Sequence, residues 1–191
     1  MMKNYSHLDE DLLPDEKEEY QDLISHLTRN RKFGLYFVQS TPLDDEKIIT
    51  KITYDLPNKK VGVLRLIEPI DTLYERVLEL YNNQQFDVLL ITGLEHSLYQ
   101  YEQENFGQIT EDKFSNLTKV PHILNHLNQK RELFRDNIPI SFVFLARPFL
   151  ISYFIYRAPD FWDWRSALLE IGSINKFISM RQNVFSSDCQ S

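Results

Sequence analysis

The stretch Phe33–Ile48, FGLYFVQSTPLDDEKI, decides the fold. Leu35 to Val38 is a continuous apolar run between Gly34 and the polar Gln39-Ser40, the pattern of a short strand covered on both faces. Thr41-Pro42-Leu43-Asp44 then reads as a helix start, with Thr41 as N-cap, Pro42 at the first helical position and Asp44 three residues past the cap. The helix is expected to reach about Tyr54. A buried strand, a short turn and a helix N-terminus make the place where an α/β fold can cradle a phosphate. Such a cradle has the form G-x-x-x-x-G-K-[ST], because glycines let backbone N–H groups curl around the anion while the lysine meets the terminal phosphates. Gln39 to Ile48 contains no glycine, and Pro42 removes one N–H donor. Asp44, Asp45 and Glu46 place negative charge where the phosphate would sit and satisfy the helix dipole themselves. Lys47 reads as an exposed helix lysine.

Outward from this stretch, strands and helices alternate. VGVLRLI (61–67), FDVLLIT (86–92) and PISFVFLA (139–146) read as strands. Pro14 opens a helix to about Thr28, and residues 70–83 form an amphipathic helix with Leu73, Val77, Leu80 and Tyr81 inward. Further helices are expected over 118–135 and 148–157. Residues 93–117, polar and weakly periodic, read as an insertion or loop. APDFWDWRSALLEI supplies a corner and a fifth strand, and INKFISM a closing helix. Right-handed crossovers between such strands build a three-layer α/β sandwich on a mostly parallel five-stranded sheet. The divisions are an acidic arm and helix (1–30), the α/β domain (31–180) and a polar tail (181–191). Ligands of such sheets bind beyond the carboxyl ends of the strands, which directs attention to Gln39–Lys47, Thr92–His96 and Arg147.

Composition narrows the function. The 191 residues carry a formal net charge of -7 and a pI near 5.2, which argues against a charge-driven grip on nucleic acid. Cys189 is the sole cysteine, so an intrachain disulfide and a cysteine zinc site are excluded, as suits a reducing cytoplasm. The acidic N-terminus has no apolar core of the kind a secretory signal carries. Ile138–Tyr156 is apolar, but Arg147 and Pro148 sit at its middle. A charge there costs about 2.5–3.5 kcal/mol on insertion and proline interrupts the backbone ladder, so strand then helix is the reading and no membrane span is expected.

The third strand is where a nucleotide hydrolase sets its metal-holding acid. In VLLITGLEH, Thr92 stands at that position, Glu95 keeps one carboxylate and His96 stands where a catalytic Glu would be. Mg²⁺ in such sites is held largely through substrate phosphates, so one carboxylate without a phosphate loop is a poor site. FGLYFV, FDVLLITGLEHSL, the segment Leu127, Asn128, Arg131, Glu132 and the segment Ala158-Pro159-Asp160-Phe161-Trp162-x-Trp164-Arg165 resemble the AAA-like/STAND-type P-loop NTPase domain. That domain is found N-terminal to tetratricopeptide repeats in bacterial, notably cyanobacterial, proteins. The resemblance covers about residues 30 to 171 and implies a P-loop NTPase-like fold. Many members carry degraded nucleotide motifs, and the attached repeats bind partners.

From these residues the expectation is a non-catalytic P-loop-like adaptor or regulatory interaction module, cytoplasmic, with no catalytic residues, cofactor or metal. Its partner is a protein, or a second copy of the chain, met through Phe149, Tyr153, Phe154, Trp162 and Trp164. Core packing beneath the PDFWDW corner is the competing use of the same aromatics. The alternative is a divergent ATP-binding or ATPase domain, with ATP and Mg as cofactors. Its vestigial site would use Ser40, Thr41, Lys47, Thr92 and Glu95, with Arg147 or Arg157 near the phosphates. His122 and His126 share a helix face, but no third zinc ligand accompanies them.

Overall fold

The computed structural model describes residues 14–107 and 120–170. The elements are α1 (Pro14–Arg29), β1 (Gly34–Gln39), α2 (Asp45–Asp55), β2 (Val61–Arg65), α3 (Tyr74–Asn83), β3 (Val88–Thr92), α4 (Glu95–Phe106), α5 (His122–Asn137), β4 (Ser141–Ala146), α6 (Pro148–Arg157), α7 (Pro159–Trp162) and β5 (Arg165–Glu170). The five strands form one parallel sheet in the order β2-β3-β4-β1-β5. Gly34 pairs with Ser141 and Gln39 with Ala146, so the two central strands end together.

The strand order separates the helices by face. The β1-to-β2 connection crosses the sheet in one direction; those from β2 to β3, β3 to β4 and β4 to β5 run in the other. Right-handed crossovers therefore put α2 on one face and α3 to α7 on the other. Strand residues alternate accordingly. Tyr36, Val38, Val88, Leu90, Val143 and Leu145 pack with Tyr20, Leu23 and Leu27 of α1 and Ile48, Ile49 and Ile52 of α2. Leu35, Phe37, Leu89, Ile91, Phe142 and Phe144 pack with Leu73, Val77, Leu98, Leu127, Phe134, Phe154 and Phe161 on the opposite face. Because the central strands are covered on both sides, their sequence is apolar without a break.

The second core is built around Phe37, whose ring stacks on Phe144 at 5.1 Å between centroids and meets Phe154 at 5.0 Å and Trp162 at 4.8 Å. Each such ring contributes about 1.5–3 kcal/mol by burial, with about 0.5–1.5 kcal/mol more for each well-oriented pair. The segments 127–132 and 158–165 dock here. Asn128 accepts a hydrogen bond from the Phe161 backbone at 3.0 Å. Arg131 lies 3.6 Å from Asp160 and 5.7 Å from the Trp164 ring.

Four expectations are corrected. The interval 93–117 holds α4, which starts after Gly93 and stops at Gly107 with φ of 69°. Its inward positions include the polar Glu102, bonded to Tyr153 at 2.5 Å, and this hides the apolar stripe in the sequence. Helix α2 begins at Asp45, later than Thr41 implied, because Thr41–Asp44 closes a turn. Asp44 N and Asp45 N both donate to Thr41 O, at 3.0 and 3.1 Å, and Thr41 Oγ1 donates to Asp44 at 2.5 Å. Helix α3 begins at Tyr74 rather than residue 70; Ile70 precedes it, its N–H donating to Ser97 Oγ at 2.8 Å. Leu80 and Tyr81 of that helix are half-buried against the core. Helix α5 starts at His122, directly after Pro121. The arm over 1–13, the INKFISM helix, the 181–191 tail and Cys189 lie outside the described residues.

Candidate functional site

Because β1 and β4 are neighbours whose following helices go to opposite faces, a crevice opens at their carboxyl ends, the position where doubly wound sheets bind ligands. The backbone ladder carries one step past the strands: Ser40 N donates to Ala146 O at 3.0 Å, which sets Ser40 beside Arg147. Arg147 is extended ahead of Pro148, the first residue of α6, and its side chain returns across the strand ends. Asp45, at the first turn of α2, turns inward rather than toward solvent. The two form a bidentate pair, Arg147 Nη1 to Asp45 Oδ1 at 2.9 Å and Nη2 to Oδ2 at 2.7 Å.

Three further groups complete the cluster. Ser40 Oγ and Thr92 Oγ1 each donate to Asp45 at 2.7 Å, and Glu95 Oε1 lies 3.2 Å from Arg147 Nη2. Arg147 Nη1 also donates to Ser40 Oγ at 3.1 Å. Ser40, Asp45, Glu95 and Arg147 are all buried, and Thr92 is half-buried. Burial pushes the Asp45 carboxyl up, but the hydrogen bonds from Arg147, Ser40 and Thr92 outweigh it and hold the group below the usual aspartate range. Burial likewise works against the Arg147 charge, and Asp45 and Glu95 overcome it, so the guanidinium holds its proton more firmly than usual. Glu95 Oε2 and Arg147 Nε are buried without a hydrogen-bond partner.

Above the cluster lies a cleft of about 700 Å³. Its floor is Asp45, Thr92, Glu95 and Arg147; its walls include Leu66, Ile67, Tyr99 and Phe149. Arg65 at the rim is held bidentately by Glu46, at 2.8 and 2.9 Å. Gly93 shapes one side: its φ is 86°, and a Cβ there would stand 2.0 Å from Leu66 O. Only glycine lets β2 and β3 end this close together.

Of the vestigial candidates, the structure brings Ser40, Thr92 and Glu95 together. It leaves out Thr41, which closes the turn, and Lys47, whose exposed side chain sits 3.7 Å from Asp44. Asp45 is the member of the site that sequence reasoning misses, since it reads there as a dipole-satisfying acid. The position of Arg147 marks it in the sequence, but its partner is not evident; the available signal is a lone arginine closing an apolar strand. Phe149, Tyr153, Phe154 and Trp162 are buried within the chain, and Trp164 is half-buried between Phe33 and the guanidinium groups of Arg131 and Arg135. Burial supports the packing use of these aromatics rather than the interface use. His126 accepts from Tyr74 N at 3.2 Å, and burial holds its pKa below the ordinary histidine value, which fits a packed neutral ring. Among the described residues no helix is long and apolar enough to cross a membrane.

Fold and site together define a doubly wound α/β domain whose strand-end crevice is floored by an internal ion pair. No family model matches the chain, and no curated protein does. Among solved structures it is similar to two of RuvB from Thermotoga maritima. One, a form carrying a single substitution, is 15% identical with a TM-score of 0.46; the other, described as a Holliday junction branch migration motor, is 14% identical with a TM-score of 0.44. Each likeness covers 85% of this chain and 46% of the RuvB chain, so the chain spans less than half the length of these neighbours.

Proposed function

We propose that the chain is a P-loop NTPase-like domain that no longer turns over nucleotide and serves as an adaptor or regulatory protein-interaction module. The observation that supports this is the Asp45–Arg147 pair. A phosphate at this crevice needs uncommitted donors, and here Asp45 occupies both Nη groups of Arg147 while Glu46 occupies Arg65. Counting the cleft's side chains, Asp45, Glu46 and Glu95 face Arg65 and Arg147, three negative charges against two positive. A nucleoside triphosphate, itself multiply anionic, meets net repulsion there, with no backbone cradle to offset it.

The protein partner of the adaptor reading would not meet the buried aromatics. Exposed apolar side chains are elsewhere, at Ile67, which lines the cleft, at Leu43, next in the chain to the lining Pro42, at Tyr54 on α2, and at Ile155 and Tyr156 on α6. The test is a thermal-shift titration of the whole chain with ATP and Mg²⁺, run alongside a phosphate-release assay. No stabilisation and no turnover are expected. ATP-dependent stabilisation that disappears on Arg147→Met would overturn the reading in favour of the divergent ATP site.

A further inference from the structure

On the reading above the crevice no longer binds nucleotide, yet it keeps a cavity of ligand size, about 700 Å³, within the range of small-molecule sites. Its charge balance has a location. Asp45 satisfies Arg147, and Glu46 satisfies Arg65, which leaves one carboxylate in excess, Glu95. Among the described residues the polar partner of Glu95 is Arg147, met through Oε1 at 3.2 Å, and its Oε2, shut off from solvent, has no hydrogen-bond donor. A carboxylate oxygen shut away without a donor is costly, and turning it toward a positively charged donor in the cleft is what satisfies it best. The rest of the lining suits an apolar body: it includes Leu66, Ile67 and the Tyr99 and Phe149 rings, which stack at 5.4 Å.

We propose that this cleft is a binding site for a singly charged organic cation, an ammonium or amidinium group on an aromatic or apolar body, with the charge on Glu95 and the body against Tyr99 and Phe149. The site deepens the regulatory reading above, since it rests on the crevice having lost its nucleotide. The site would lie between α4, which carries Glu95 and Tyr99, and α6, which carries Phe149, two helices already joined by the Tyr99–Phe149 stack and the Tyr153–Glu102 hydrogen bond.

The test uses the whole chain and two pairs of probes, tryptamine with neutral tryptophol and benzamidine with neutral benzamide, in a thermal-shift titration. At about ten times its Kd, a cationic member is expected to raise Tm by about 3–6 °C, and its neutral twin by much less. Glu95→Gln, which keeps the shape and removes the charge, is expected to abolish the difference within the pair. If that variant is unfolded, the contrast between charged and neutral probes on the wild type still decides. Equal shifts within each pair, no shift with either cation, or a cation shift retained in Glu95→Gln would overturn the proposal. ATP with Mg²⁺ in the same plate separates the two readings: stabilisation by ATP alone defeats the non-nucleotide reading, whereas silence from all probes defeats only the cation site.

Discussion

Replacing Arg147 with Met is the perturbation that probes the site most directly. Methionine approximates the length of the arginine stem, so the packing loss is small and the charge is what goes. Left behind are two buried carboxylates, Asp45 and Glu95, which both lie against the guanidinium. Removing one partner of a buried pair costs about 3–5 kcal/mol, because an uncompensated charge remains. Asp45→Ala strips the other side, but Arg147 then keeps Glu95 at 3.2 Å, so the cost falls to about 2–3 kcal/mol, the scale of charged hydrogen bonds left unmade. The structure thus fixes an order: Arg147→Met is worse than Asp45→Ala. The double variant is expected to fall short of the sum by about 1–3 kcal/mol, since the two residues act as one unit.

Urea unfolding followed by tryptophan fluorescence of Trp162 and Trp164 measures all three. The pH dependence adds a second constraint. In the wild type Asp45 is held below its usual range, so its contribution is present above the unfolded carboxylate value, about 3.9, and is lost as pH falls through the lower folded value. Without Arg147, burial acts on Asp45 against only the Ser40 and Thr92 hydroxyls, and the group takes up protons more readily when folded than when unfolded. The penalty of Arg147→Met should therefore shrink as pH is lowered from about 7 to about 5. Single-variant costs below about 1 kcal/mol, the scale of an exposed pair, or a reversed order, would refute the reasoning.

Two other outcomes follow from the packing. Gly93→Ala forces a left-handed backbone on alanine, costing about 1–3 kcal/mol, and drives its Cβ to 2.0 Å from Leu66 O. A lowered urea midpoint is expected, and an unchanged one would mean that the β2 and β3 ends are not this close. Phe154→Asp buries a carboxylate among Phe37, Phe144 and Phe161, so circular dichroism should show loss of the fold, whereas Tyr156→Asp on the exposed side of the same helix should leave the chain folded. A folded Phe154→Asp variant would place that ring outside the core.

Features whose physics is local are legible in the sequence. The strands announce themselves because a strand buried on both faces must be apolar throughout, as Leu35–Val38 and Phe142–Ala146 are. Helix α4 is not legible, because one of its inward positions is Glu102, whose partner Tyr153 lies 51 residues away. A helix apolar on nearly all sides, like α6, has the composition both of an interface and of a core; only the rings contributed by β1 and β4 decide between them. The site escapes sequence reading for the same reason on a larger scale. Asp45 and Arg147 are 102 residues apart, and a carboxylate in the first turn of a helix has a sufficient local explanation in the dipole.

That local explanation and the observed geometry lead to different molecules. A carboxylate facing solvent at a helix N-terminus leaves the crevice open to a ligand. The same carboxylate turned inward links the β1 turn to the end of β4 and, through Thr92, to β3. In a nucleotide-binding crevice the ligand's own anion makes such a link, and the link is absent when the ligand leaves. Here an aspartate of the chain makes it permanently, with its proton affinity lowered so that the charge persists at neutral pH. The link between the strand ends therefore needs no bound ligand to form. Glu95 extends the same link to the first residue of α4, its Oε1 standing 3.2 Å from Arg147 Nη2, so the ends of β1, β3 and β4 and the start of α4 share one fixed point.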